Sequence, residues 1–432
     1  VGDVCSLSPE VWDNPKNFHR EKIRMAAADP GFSQNLPRQK MLGSKGLMIL
    51  IALLSAFVPL STDLYLPALP GMSSFFHVTA DRINLTLTAF FVVYSLGTLI
   101  WGPLSDRYGR KPILVIGLST YVLASILCAF AWDINVLIAC RILQAAGGSA
   151  AGAVATAVVK DVYSGRQRET VLALVQAMVL ISPAVAPVLG AFLLGFTTWR
   201  GVFWVLALIG ILALVGSLLL EETISLRTTG MLLSSLGRLG KVLENRGFRN
   251  LLALFSIGSV SSMAFIASST YIYQDGFHVS GQVYSFYFAL NALGFIAGPL
   301  IFLRISSRVH SETIIRAGFF IVAVSGLLVC LLGSLQPWVF ALCILPASIA
   351  NNALRPPSAN LMLEQQKGDS GSVSAVMGCV GMLMGSLGMQ IISLHWSSTI
   401  IALGSMMVTT ATLSLLFWPL AIKTARRFPK RA

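Results

Sequence analysis

The sequence predicts an all-α membrane protein of twelve crossings, arranged as two six-helix halves. Three observations carry that expectation. Hydrophobic residues make up 55% of the 432 and charged residues only 11%, against about 25% charged in an ordinary soluble domain. The apolar residues come in runs of about 20, the length a helix needs to cross a bilayer. A polar stretch in the middle of the chain divides those runs evenly.

Residues 1–45 are polar and contain no apolar run of the signal-peptide kind, so they read as a disordered cytoplasmic tail, with Met25 or Met41 as alternative starts. Twelve spans follow at 46–68, 83–104, 113–132, 134–158, 170–195, 200–220, 249–274, 281–303, 314–334, 338–363, 372–394 and 397–420. The basic residues check this count. One side of the membrane receives Arg107, Arg110 and Lys111, then Lys160, Arg166 and Arg168, then the middle stretch with Arg227, Arg238, Lys241, Arg246 and Arg249, then Arg304, Arg308 and Lys367. The other side receives only Arg82 and Arg200. Cytoplasmic loops collect Lys and Arg, so both termini are expected in the cytoplasm.

The net charge of +13 follows this membrane pattern, which argues against a nucleic-acid footprint. A phosphate-binding G-x-x-x-x-G-K-[ST] loop is missing, so ATP is not the expected energy source. The six cysteines form no C-x-x-C pair and five lie in apolar runs, where they read as small hydrophobes; no metal and no cofactor are expected.

The linker at 221–248 separates a first half, 46–220, from a second, 249–420, before a basic tail at 421–432. Gly102-Pro103-Leu104 at the end of the second span recurs as Gly298-Pro299-Leu300 at the end of the eighth. Duplicated halves of this kind place a substrate site between them near the bilayer midplane. Small-residue faces, Gly378, Gly381, Gly385 and Gly388 on the eleventh span and Gly294 and Gly298 on the eighth, mark places of close helix approach.

Few polar residues interrupt the spans. Asp63 is the only acid inside one. A carboxyl at mid-bilayer costs about 2.5–3.5 kcal/mol to insert, and such residues usually face a cavity and carry function. The competing reading puts Asp63 at the wet outer end, with Pro67 and Pro70 ending the helix just beyond. Arg141 is the second costly residue and shares a helix face with Gln144 and Gly148; its competing reading is snorkelling to the interface. Arg355, beside Asn351 and Asn352 on the tenth span, also lies near enough to an end to snorkel. Met263, Ile266, Tyr287, Asn291, Met377 and Met384 complete the cavity expected between the halves, with Met chosen for its adaptable surface.

The stretch Gly102 to Pro112 resembles the loop signature of the major facilitator superfamily, G-x-L-A-D-R-x-G-R-K. Gly102, Leu104, Asp106, Arg107, Gly109, Arg110 and Lys111 match, and Ser105 replaces the usual Ala. Within that superfamily, Asp63-Leu64-Tyr65-Leu66-Pro67-Ala68-Leu69-Pro70 and Arg141-Ile142-Leu143-Gln144 resemble the Bcr/CflA-type bacterial drug:proton antiporters. The resemblance covers about 46–420 and implies a monomer in the bacterial inner membrane. It further implies export of lipophilic small molecules, chloramphenicol or bicyclomycin among them, driven by protons. Asp63 and Arg141 would couple the proton, and the 102–112 loop would switch conformation, with Asp106 meeting the N-terminus of the eleventh helix. Helix 2 would pack on helix 11, and helix 5 on helix 8. Pro183, Pro187 and Gly190 resemble the antiporter signature of the fifth helix, with Ala186 where a Gly is usual. Some relatives carry a second acid where this chain has Ser55, so one titrating group is expected.

Other readings stay open at this stage: an exporter of an endogenous metabolite or siderophore, an importer, or a non-transporting sensor of the same fold. A membrane-embedded enzyme would need a cluster of catalytic groups, and His19, His77, His278, His310 and His395 are dispersed.

Overall fold

The computed structural model describes residues 39–224, 232–366 and 370–427. The predicted tail up to residue 38, together with Arg227, Lys367 and positions from 428 onward, lies outside them. The described residues fold entirely into helices and turns. Among the described residues, eleven helices are long and apolar enough to cross a bilayer: span 2 (Ala80–Tyr108), span 3 (Arg110–Ala129), span 4 (Ile134–Val162), span 5 (Gly165–Leu194), span 6 (Trp199–Leu219), span 7 (Arg246–Tyr271), span 8 (Gly281–Ile305), span 9 (Ser311–Leu332), span 10 (Pro337–Leu363), span 11 (Ser370–Ile392) and span 12 (Thr399–Arg427). Span 1 is a bent pair, Gly43–Ser55 and Phe57–Phe76, that turns through 43° and brings the total to twelve. The stretch between spans 6 and 7 carries a short helix of its own, Leu232–Glu244.

The packing repeats between the halves. In the first, span 2 packs on span 4, span 3 on span 4 and span 3 on span 6; in the second, span 8 packs on span 10, span 9 on span 10 and span 9 on span 12. Span 2 lies against span 11 and span 5 against span 8, so each cross-half contact is the counterpart of the other. A further internal repeat escaped the sequence reading. Phe76-His77-Val78-Thr79 and Phe277-His278-Val279-Ser280 close the first helix of each half. Both histidines take the left-handed conformation, φ 52° and 56°, that turns the chain out of a helix.

Span 1 departs from the uniform helix expected. Pro59 has no N–H to give the Ser55 carbonyl, and its ring crowds that carbonyl, so the helix breaks at Ala56. Pro67 and Pro70 do not end the segment, contrary to expectation. Each sits in the first turn of a new helical piece, Leu66–Ala68 and Leu69–Phe76, where a missing N–H costs nothing. The span runs on to Phe76.

The glycine faces also serve different partners from those the resemblance suggested. Gly385 and Gly388 meet Met263 and the Val260 carbonyl of span 7 in the same half, while Gly294 and Gly298 meet Ser348, Ile349 and Ala353 of span 10. Gly190 makes the tightest approach: a Cβ there would stand 1.8 Å from the Leu64 carbonyl oxygen of span 1. That backbone cannot yield as a side chain would. Gly190→Ala is therefore expected to lower stability by about 1–3 kcal/mol, the range for overpacking. Gly378→Ala, with open space around it, should be neutral. Thermal unfolding of the purified protein checks both, and equal midpoints for the two variants would contradict this packing.

Candidate substrate cavity

A cavity of about 1210 Å³ lies between the halves. Its wall reaches from Asp63, Thr62 and Pro59 of span 1 to Asp106, Arg110, Lys160 and Asp161 at the end where spans 2 and 3 meet. The opposite end is closed by bonds that cross between the halves. Asn84 donates to the Ser393 hydroxyl at 2.8 Å, Gln274 to the Pro67 carbonyl at 3.1 Å and Ser285 to the Pro187 carbonyl at 3.0 Å. The cavity is thus open toward the basic end and sealed at the other.

Asp63 is the last residue of the helical piece Phe57–Asp63 and only 6% exposed. Its Oδ1 accepts a 2.9 Å hydrogen bond from Thr62. Tyr284 of span 8 lies within electrostatic range across the interface. The carboxyl therefore stands on the cavity wall beside the sealed end.

Arg141 is placed differently from the sequence expectation. It is fully buried inside the first half, off the cavity wall, and makes no ion pair with Asp63. Its Nη1 donates to the Ser61 carbonyl at 3.0 Å and to the Gln144 side chain. Its guanidinium stacks over Phe90 at 4.3 Å and Tyr65 at 4.7 Å. The physical reason is the break in span 1. The helical piece ends at Asp63, so the Ser61 carbonyl lacks its intrahelical donor, and a cation suits that negative end of the helix dipole. Gln144 extends the same buried network, donating to Ser125 at 2.7 Å, and Ser61 bonds Tyr121 at 2.7 Å. Neither snorkelling nor a cavity-facing Arg141 is what the fold contains.

The charged loop is tighter than expected. Span 2 continues to Tyr108 and span 3 starts at Arg110, leaving Gly109 alone as the turn at φ 107°, a backbone angle that favours glycine. Arg110 is buried and reaches Asp106 at 2.5 Å and Asp161 at 2.8 Å. Glu222, past span 6, accepts from the backbone N–H of Arg110 at 2.9 Å and of Lys111 at 3.3 Å, capping span 3. Arg107 is exposed and lies over the Tyr108 ring. Asp106 pairs inside its own half, whereas the resemblance implied the N-terminus of span 11. With the cavity open, Gly371 and Ser372 stand on its far wall. Asp161 and Glu222 were missed; their only sequence signal is an acid at the end of a span on the basic side.

Of the other expected cavity residues, Met263 and Ile266 line it, as does Pro183 of span 5. Tyr287 and Asn291 do not: Tyr287 stacks on Tyr273 at 5.2 Å, and Asn291 is buried, donating to the Tyr287 carbonyl. Met377 and Met384 also stand off the wall, which takes Gly378, Cys379 and Met382 from span 11 instead. That is a phase error of about one residue, 100° of helix rotation. Pro187 and Gly190 sit at the seams with span 8 and span 1.

Asp161 is 19% exposed and Asp106 46%. Asp161→Asn is expected to cost about 1–3 kcal/mol, as for a hydrogen bond to a charged group. Asp106→Asn, screened by water, should cost under about 1 kcal/mol. Thermal denaturation of the two variants tests this order, and the reverse order would contradict it.

The chain matches the family model of the Major Facilitator Superfamily over residues 51–389. It is 32% identical to an uncharacterized MFS-type transporter, YdgK, of Bacillus subtilis, covering 87% of this chain and 95% of the relative. It is also 32% identical to a chloramphenicol resistance protein of Pseudomonas aeruginosa, over 80% and 84% of the two chains. A bicyclomycin resistance protein homolog of Haemophilus influenzae is 26% identical over 79% and 88%. Among solved structures, a bacterial homolog of the human lysosomal transporter Spinster superposes with a TM-score of 0.71 at 14% identity, covering 92% of this chain and 99% of that one.

Proposed function

The chain belongs to the Major Facilitator Superfamily, and on that footing we propose that it exports lipophilic small molecules across the bacterial inner membrane in exchange for protons. The carrying observation is Asp63: a buried carboxyl on the wall of a cavity that is closed at one end and open at the other. With the basic end cytoplasmic, by the distribution of Lys and Arg, the fold is in the state that would receive cargo from inside. Cargo enters, the halves rock, and a proton arriving from outside at Asp63 releases it. Relatives named for chloramphenicol and bicyclomycin resistance support a drug-like cargo. The antiporter motif supports exchange, because Gly190 brings span 5 against the Leu64 carbonyl, one residue past Asp63.

Arg141 acts through span 1 in this scheme. It holds the Ser61 carbonyl, two residues before Asp63, and so ties the position of the carboxyl to the core of the first half. Ser55 lines the same cavity where a second acid would otherwise stand. One proton per cycle follows. Export of a neutral cargo then moves one net charge, worth about 2.3 kcal/mol per 100 mV, and export of a monocation moves none.

In proteoliposomes, Asp63→Asn is expected to bind neutral cargo and to lose proton-driven efflux down to the level of empty vesicles. A membrane potential imposed without a pH gradient should drive the wild type on neutral cargo. Full efflux by Asp63→Asn would overturn proton coupling at this residue and favour a sensor or a different coupling site.

A further inference from the structure

Arg355 is the one charged side chain that the second half contributes to the cavity wall among the described residues. It stands eight residues before the end of span 10 at Leu363, about 12 Å of helix. Its side chain is exposed, but the space it is exposed to is the cavity and not the lipid. Among the described residues no acid pairs with it, and no hydrogen bond to its guanidinium is formed. The acids elsewhere on the wall are engaged: Asp106 and Asp161 hold Arg110, and Asp63 lies beside the sealed end with Thr62. A charge inside a span is normally paired with another charge or with backbone carbonyls. This one presents five donors in a planar fork, and among the described residues it has nothing to give them to.

We propose that Arg355 is a recognition site for an anionic head group, so that the preferred cargo is an amphiphilic organic anion. The guanidinium takes a carboxylate, sulfonate or phosphate through paired hydrogen bonds. Asn351 and Ser358, on the same helix, border it on the wall. The apolar part of the ligand has Phe255 and Phe319 of the same half, stacked at 6.2 Å, along with Met263 and Met382. This assignment rests on the transporter reading above and narrows it from lipophilic cargo in general to cargo that carries a negative charge.

The test uses three matched probes: 2-naphthoate, 2-naphthamide and 2-naphthylmethylammonium. Their binding to the purified full chain is measured by calorimetry, and their efflux from proteoliposomes separately. In the wild type the anion should bind about 10–100-fold more tightly than the amide, the worth of a charge-assisted hydrogen bond. Arg355→Gln should erase that preference by bringing the anion to the level of the amide; Arg355→Lys should restore part of it. Equal affinities for the three probes in the wild type would overturn the proposal whether or not either variant folds. An anion preference that survives Arg355→Gln would overturn it too. An anion preference that Arg355→Gln removes, without efflux of any probe, supports the binding site and counts against the export reading alone.

Discussion

A helix broken inside a bilayer leaves backbone groups that water cannot reach, and the protein has to satisfy them itself. That constraint organises the first half of this molecule. Pro59 interrupts span 1 and the helical piece ends at Asp63, so the Ser61 carbonyl needs a donor. Arg141 supplies it, and its own charge is held among the faces of Phe90, Tyr65 and, further off, Phe203. Span 5 closes on the same place, made possible by Gly190. The carboxyl of Asp63 is thereby displayed from a defined but interrupted element, as in transporters whose discontinuous helices form ion sites. Span 7, its counterpart, is continuous up to a π-turn at Ile272–Gly276, so the two halves are not equivalent at this point.

The two ends of the interface differ in what it costs to separate them. At the basic end the ion pairs of Arg110 with Asp106 and Asp161, and the cap from Glu222, all belong to the first half and the segment that follows it. Among the described residues no ion pair crosses between the halves there, so parting them leaves none of these charges in the costly unpaired state. At the sealed end the contacts between halves include neutral hydrogen bonds from Asn84, Gln274 and Ser285. Each is worth about 0.5–1.5 kcal/mol, a small cost beside a ligand-binding free energy of micromolar affinity. Rigid clusters inside each half, with weak neutral contacts between them, make a tilting motion cheap relative to unfolding either half.

The fold was legible because bilayer thickness and basic-residue placement are one-dimensional signals: a run of apolar residues is long enough or it is not. The 102–112 stretch stood out as a dense cluster of charge in a short turn between two spans, and Asp63 as charge where charge is expensive. What the sequence did not show is direction. Arg141 and Gln144 lie on one helix face, but which face looks at the cavity depends on how spans 3 and 4 lean together. Tyr287 and Asn291 were lost to the same ambiguity, and Met377 and Met384 to a rotation of about one residue. Asp161 and Glu222 were unreadable because each sits far along the chain from the Arg110 it serves. The Phe-His-Val repeat was visible in the letters, but its significance lies in a backbone angle.

Placing the acid and the unpaired cation on different halves has a consequence for coupling. Asp63 belongs to the first half and Arg355 to the second, and both face the same space. Were they on one half, their interaction would stay nearly constant as the halves tilt, and protonation would bear on cargo only locally. On opposite halves, their separation and the water between them change with every tilt, and an electrostatic interaction scales inversely with both distance and dielectric. In the proposed scheme, a proton on Asp63 would remove a negative charge from the wall that an anion bound at Arg355 has to face, and its departure would restore that repulsion. An anionic cargo and a proton would then favour each other's presence within one conformation. On the proposed exchange of an anionic cargo for protons, the conformation that accepts the proton from outside would have to be one in which Arg355 no longer holds its ligand. The seal at Asn84, Gln274 and Ser285 would then have to open, and the wall around span 10 to close, in the same movement.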